Sequence, residues 1–419
     1  MNLKRLKKTL EEINQYGYTK NGINRLAYTK TEQRSLQHLI SLFKKEGMTV
    51  KKDAAGNVIA RREGMNPKLP AVACGSHIDT VYNAGHYDGT VGVVAGLEVI
   101  RSLNDEKIVT EHPIEVIVFA CEESARFGVA TIGSKAMTGL FNGDDFKQLT
   151  DKDGVSLEAA FKESSLNIEE VNKAVRGSEE IKVFYELHIE QGPVLEKGKK
   201  DIGIVTGIAA PTRYQIEITG QASHSGTTPM ALRKDAFLGA AEIALGLEQI
   251  AMSEANHGTV ATTGVCDVLP GAMNVVPSKA VMKVDIRSIS LTSKERVVNE
   301  FLQFIKQVEK DRQLEINITQ LCDETPIDMD LEAVQMLTEA CEELNYSYIK
   351  MPSGAGHDAM NMATLYPTGM IFVPSENGLS HNPAEYTPIE QIVMGATILK
   401  EGITKAARVV NRGEQRASI

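Results

Sequence analysis

In the opening segment, MNLKRLKKTLEEINQY, Leu3, Leu6, Leu10 and Ile13 fall on one helical face and predict an amphipathic helix. YTKTEQRSLQHLISLFKKEG predicts a second helix, opened by a capping box of Thr29 and Glu32 and stopped at Gly47. MTVKKDAAGNVIARREG reads as two short strands around a Gly-Asn turn. The pattern then shifts to short continuous apolar runs, as in strands buried on both faces. LPAVAC runs into GSHIDTVYNAGHYDGTVG (75–92), followed by the helical pattern TVGVVAGLEVIRSLNDE. PIEVIVFACEE (113–123) and EEIKVFYELHIEQG (179–192) are two more such runs, and each ends in carboxylates or histidine. Strands alternating with helices predict an α/β domain with a largely parallel sheet. Ligands of such sheets gather beyond the carboxyl ends of the strands, where all three polar clusters fall.

From about Thr212 the texture becomes strictly alternating, as in RYQIEITG, which predicts a half-exposed strand. A helix over roughly 230–255 follows. GTVATTGVCDVL and KAVMKVDIRSI then read as strands, SKERVVNEFLQFIKQVEKD as a helix and LEINITQL as a strand. This order predicts a ferredoxin-like α+β unit inserted over residues 211–327. The strand GMIFVPS and helical segments from 328 return the chain to the first domain, which comprises 1–210 and 328–419.

Composition narrows the class. With 419 residues, the chain is too long for one ordinary core. Its net charge of −10 argues against a nucleic-acid partner. No apolar run reaches the ~18–20 residues that span a bilayer, so no membrane role is expected. The N-terminus lacks the apolar segment of a signal peptide, so a cytoplasmic protein is expected. Five cysteines without a C-x-x-C argue against disulfides and a thiolate zinc site, and Cys74 and Cys121 read as small buried hydrophobes. G-x-S-x-G, G-x-G-x-x-G, Walker and H-E-x-x-H patterns are missing.

What remains is the set at the strand ends: His77, Asp79, Asp88, Glu122, Glu123 and His188, with His381 in ENGLSHNPAEYT. Mixed imidazole and carboxylate donors suit Zn²⁺, and also Mn²⁺, Co²⁺ or Ni²⁺. Two ions about 3.5–4 Å apart need a bridging oxygen donor, a role open to Asp88 in its glycine-flanked loop. Asp79, two residues past His77 on an extended chain, is expected to accept the ring proton that His77 does not use for metal. Of the adjacent Glu122 and Glu123, one can ligate while the other handles protons.

These segments, GSHIDTV…YDGTVGV, EES after a strand and SHNPAE, resemble the M20 family of dinuclear metallohydrolases. EESARFGVATIGSKAMTG, ELHIEQGPVLE, ASHSGTTPMALRKDA and PSGAGHDAMNMA are similar to its amidohydrolase branch of N-carbamoyl-L-amino acid hydrolases, allantoate amidohydrolases and β-ureidopropionases. The resemblance covers nearly the whole chain. It implies two divalent ions, the first held by His77, Asp88 and His188, the second by Asp88, Glu123 and His381. Asp79 is then the orienting partner of His77, and Glu122 the general base. Peptidase relatives usually carry Asp where this chain has His188, so that residue favours the amidohydrolase branch. The resemblance further implies that Gln191 meets the ureido or amide group. Asn274 and Arg287 hold the substrate α-carboxylate, helped by the backbone of Ser380, which stands where relatives can have Gly. His224 reaches the site of the other subunit of a homodimer formed through the inserted lid domain, and stabilises the oxyanion there. The activity so implied is hydrolysis of N-carbamoyl-L-amino acids to amino acid, ammonia and CO2. The alternatives are allantoate, then β-ureido acids, then peptide or N-acyl substrates.

Overall fold

The computed structural model describes residues 1–410. It forms two compact units. One holds Met1–Thr206, Met329–Met351 and the chain from His357, and the other holds Gly207–Asp328 with Pro352–Gly356. The short Pro352–Gly356 segment thus groups with the second unit, whereas sequence pattern leaves it in the first.

The first unit is built on a mixed sheet. Its strands run in the order Ile202–Ile208, Thr368–Val373, Ile181–Ile189, Ala71–His77, Ile114–Phe119, Val58–Arg62 and Thr49–Lys52. The four strands from Thr368–Val373 to Ile114–Phe119 are mutually parallel. The flanking strands are antiparallel, so the parallel character expected from sequence belongs to the centre alone. Ala71–His77 and Ile114–Phe119 are buried at every position, which is why they read as unbroken apolar runs. The Thr90–Asp105 and Ile389–Ala407 helices pack on these strands. Leu3–Asn14 buries Leu6, Leu10 and Ile13, as its periodicity requires. Thr29 caps Lys30–Lys45 by accepting the Glu32 N–H. The Glu32 carboxylate reaches past the cap residue to the N–H of Tyr28, at 2.6 Å.

The second unit has a four-stranded antiparallel sheet in the order Val260–Leu269, Lys279–Ser288, Ala210–Thr219 and Glu315–Asp323. The Ala236–Ser253 and Leu291–Arg312 helices complete a strand–helix–strand–strand–helix–strand order. Tyr214, Ile216 and Ile218 join the core under these helices, while Arg213, Gln215 and Glu217 alternate outward. Ala236–Ser253 has 18 residues and a mean hydropathy of 1.2, enough by length and composition to cross a membrane. This corrects the reading that no run reaches spanning length. The helix carries Glu242 and Glu248 and buries Ala240, Ile243 and Leu247 in the core of this unit, with 39% of its length buried.

Candidate metal centre

The parallel strands deliver the chemistry at their carboxyl ends. His77 closes Ala71–His77, and His188 lies one residue from the end of Ile181–Ile189. Glu122 and Glu123 follow Ile114–Phe119. They are not on the strand itself, because Cys121 takes a left-handed φ of 52° and turns the chain first. Asp88 sits in the loop before Thr90–Asp105, and His381 in the loop after Thr368–Val373.

Two clusters result, His77–Asp88–His188 and Asp88–Glu123–His381, each with its ligand atoms within 4.8 Å of one another. Asp88 belongs to both, one oxygen to each. Its Oδ1 lies 3.5 Å from His77 Nε2 and 3.3 Å from His188 Nε2. Its Oδ2 lies 3.3 Å from His381 Nε2, which is 3.2 Å from Glu123 Oε1. All but His381 are buried; the side chain of His381 is 49% exposed.

The hydrogen bonds fix which nitrogens face the centre. His77 Nδ1 meets the Asp79 carbonyl at 3.0 Å, and His188 Nδ1 meets the Ile189 carbonyl at 2.9 Å. Both Nε2 lone pairs therefore face Asp88, and the Gly89 N–H donates to that of His188 at 3.1 Å. Imidazole lone pairs and carboxylate oxygens converging in a buried space call for positive charge. The acid–base balance shows the same demand. Burial works to lower the His77 pKa, but Glu122, Asp88 and Asp79 together hold it well above the usual value. His188 is likewise raised by Asp88 and Glu186 against its burial. Asp88 and Glu123 push His381 up to about 11. Burial works to raise Asp88, but the imidazoles of His188, His381 and His77 outweigh it and hold the carboxyl well below its usual range. The donor set and its charge fit divalent ions.

Glu122 is the carboxylate beside this set, its Oε2 3.7 Å from His77 Nε2. Burial, reinforced by Glu123, Asp358 and Asp79, raises its pKa well above normal despite His77. A carboxyl group in this place is chemically able to exchange protons. Asp79 plays a different part from the one expected. Its Oδ1 and Oδ2 accept the backbone N–H groups of Glu122 and Glu123 at 3.1 and 3.0 Å. The nearer carboxylate oxygen is 3.7 Å from His77 Nδ1, whose hydrogen-bond partner is instead the Asp79 carbonyl. Because the glutamate pair sits in a turn, its N–H groups lack sheet partners and claim the carboxylate.

Gln191, at a left-handed φ of 57°, donates from Nε2 to Asp88 Oδ2 at 2.7 Å, and its buried Oε1 has no hydrogen-bond partner among the described residues. The Ser380 hydroxyl lies 2.5 Å from Asp88 Oδ2 and 3.0 Å from Glu385 Oε2, so the side chain serves the cluster. Gly89, at φ 60°, is required, since a Cβ there would lie 2.2 Å from His77 Nε2. In the second unit, His224 and Asn274 are exposed neighbours, with the Ser225 N–H donating to the Asn274 carbonyl at 3.0 Å. Arg287 is on Lys279–Ser288. Its Nε and Nη2 donate to Asp285 at 2.9 and 3.1 Å, and its Nη1 to the Gly354 carbonyl at 3.0 Å.

Four residues escaped the sequence reading. Glu186 shares the face of His188 two residues on, a period-two signal. With His188 and His357 it forms a third cluster of potential donors. The His357 ring sits 4.5 Å from that of His188, and burial and His188 keep it neutral by lowering its pKa well below normal. Glu385 closes the SHNPAE stretch without having been singled out. Arg25 is 1% exposed, and no local pattern marks it.

With this geometry in place, the class is defined: the model of peptidase family M20/M25/M40 matches residues 73–405, and the chain belongs to that family. The N-carbamoyl-L-amino-acid amidohydrolase of Pseudomonas sp. is 38% identical over 405 residues, 96% of this chain and 97% of that one. The allantoate amidohydrolase of Escherichia coli is 35% identical over 378 residues, 90% and 91% of the two chains. The crystal structure of a hydantoinase/carbamoylase-family amidase from Burkholderia multivorans matches with a TM-score of 0.90 and 36% identity, covering 97% of this chain and 98% of that one. Within the family, this protein is a hydrolase of the amidohydrolase branch.

Proposed function

We propose that the protein hydrolyses the carbamoyl C–N bond of N-carbamoyl-L-amino acids, releasing the amino acid, ammonia and CO2. The observation that carries this reading is Asp88, whose two oxygens face two separate donor clusters beside a buried Glu122. His77, Asp88 and His188 would hold one divalent ion, and Asp88, Glu123 and His381 the other, with zinc, manganese, cobalt or nickel all suited to these donors. Such ions supply Lewis acidity, which polarises a poorly electrophilic ureido carbonyl and acidifies water.

Glu122 takes a proton from the attacking water as oxygen bonds to the carbamoyl carbon. It then gives that proton to the leaving nitrogen as the C–N bond breaks, and the carbamic acid so formed decomposes to ammonia and CO2. Gln191 favours a ureido group, because its partnerless Oε1 can accept a hydrogen from the terminal –NH2. Asn274 and Arg287 bind the α-carboxylate, for which the guanidinium fork is suited. The second unit acts as lid and dimerisation domain, and His224 stabilises the oxyanion in the other subunit of a homodimer.

Allantoate, which also joins a carboxylate to ureido groups, is the alternative, supported by the 35% identical relative. The test is ammonia release by the metal-loaded enzyme from N-carbamoyl-L-methionine, allantoate and N-carbamoyl-β-alanine at equal concentration. Preference for the first supports the proposal. Preference for allantoate moves the substrate while keeping the site, and no release from any of them overturns the reading.

A further inference from the structure

We propose that Glu385 is a positioning residue that sets the affinity of the Asp88–Glu123–His381 cluster for its ion, and affects the His77–Asp88–His188 cluster less. The inference rests on the two-ion reading above.

The cluster is assembled from distant parts of the chain, with Asp88 and His381 on separate loops. His381 is its weak member. It is the exposed ligand, and it stands at a left-handed φ of 55° without being glycine, a conformation that persists only where its surroundings enforce it. Glu385, four residues on and 3% exposed, supplies that enforcement. Its Oε1 accepts the backbone N–H groups of Tyr87 and Asp88 at 2.7 and 3.1 Å. Its Oε2 lies 3.0 Å from the Ser380 hydroxyl, which reaches Asp88 Oδ2 at 2.5 Å. One carboxylate thus clamps the Asp88 loop to the loop bearing His381. Its own backbone is held in turn, since the Glu385 N–H donates to the Asn382 carbonyl at 2.9 Å.

The neighbouring glycine shows how close the clamp is. A Cβ at Gly85 would lie 2.3 Å from Glu385 Cβ and 2.6 Å from its Oε1, so only glycine lets the two loops meet this way. The other cluster is secured differently. His77 and His188 belong to central strands and are oriented by backbone carbonyls. Loss of Glu385 leaves those contacts in place and reaches the first cluster only through the shared Asp88. Residues that hold a ligand rather than the ion typically account for about 10–100-fold in metal affinity.

The test is equilibrium dialysis of the full-length protein against buffered free Zn²⁺, with bound zinc per chain read by mass spectrometry. Wild type takes up two ions, and His381→Ala identifies which step belongs to the second cluster. Glu385→Ala weakens that step about 10–100-fold and the other, which it touches only through Asp88, by clearly less. Glu385→Gln keeps an acceptor for Tyr87 and Asp88 and stays within about threefold of wild type. Gly85→Ala reproduces the selective loss with Glu385 intact, and carries the test should Glu385→Ala fail to fold. An unaltered second step in Glu385→Ala or Gly85→Ala overturns the inference alone. So does a Glu385→Gln protein as weak as Glu385→Ala, since charge rather than the clamp would then be at work. Fewer than two ions in wild type overturns the two-ion reading and this inference with it.

Discussion

Replacing Arg25 with methionine isolates the anchor beneath the loops that carry Asp79 and Asp88. The guanidinium is fully buried and donates to the carbonyls of Ile78, Ile13 and Tyr16 at 2.6, 3.0 and 3.2 Å and to Thr90 Oγ1 at 2.9 Å. It therefore ties the N-terminal helix to the residue between His77 and Asp79 and to the start of the helix after Asp88. Four hydrogen bonds from a charged donor, at about 1.5 kcal/mol each, contribute roughly 6 kcal/mol. Against this stands the cost of burying the charge. Burial lowers the pKa from 12.5 to about 10 even though Asp79 and Glu32 oppose it, which at about 1.4 kcal/mol per pH unit is ~3.5 kcal/mol. The difference leaves a net stabilisation of about 2.5 kcal/mol. Arg25→Met is expected to lose that amount in urea denaturation and to lower the melting temperature by about 3–5 °C in scanning calorimetry. Arg25→Lys should recover less than half, because a point ammonium cannot span acceptors that lie on three elements. A loss below ~1 kcal/mol for Arg25→Met would refute the balance, and would mean that desolvation cancels the hydrogen bonds.

Other expectations follow from the same contacts. Glu122→Gln keeps the metal ligands but removes the proton acceptor, so kcat should fall about 10²–10⁴-fold at unchanged metal content; a loss under tenfold rejects Glu122 as base. Gly89→Ala places a methyl 2.2 Å from His77 Nε2 at a left-handed φ, so bound metal should fall by one ion per chain, and full retention contradicts the assignment of His77. Glu32 is raised from 4.5 to about 8, chiefly by burial and then by Asp79. The folded state therefore keeps a proton that the unfolded state has released, and stability should decline as pH rises from about 5 to 8. Denaturation midpoints across that window should flatten in Glu32→Gln, and an equal slope in both proteins would show that another group sets the trend.

Much of this protein is written locally. The unbroken apolar runs at 71–77 and 114–119 mark strands covered on both faces, because burial leaves no position free to be polar. The alternation of Tyr214, Ile216 and Ile218 with Arg213, Gln215 and Glu217 marks a strand covered on one face only. Polar residues closing buried strands point to a site for the same reason, since a parallel sheet exposes its carboxyl ends at one edge. His77, Asp88, Glu123, His188 and His381 could be gathered from sequence on that ground together with the family resemblance.

What tertiary structure decided is the partner of each polar group. Asp79 turned out to hold the backbone of Glu122 and Glu123, because the left-handed Cys121 moves that pair off the strand and orphans its N–H groups. Glu385 meets Tyr87 and Asp88 across nearly 300 residues of chain, and Arg25 finds acceptors on three separate elements. Periodicity records which face of an element is buried. It carries no record of which distant carbonyl or N–H a buried side chain will meet, and that pairing exists only once the loops are folded against one another.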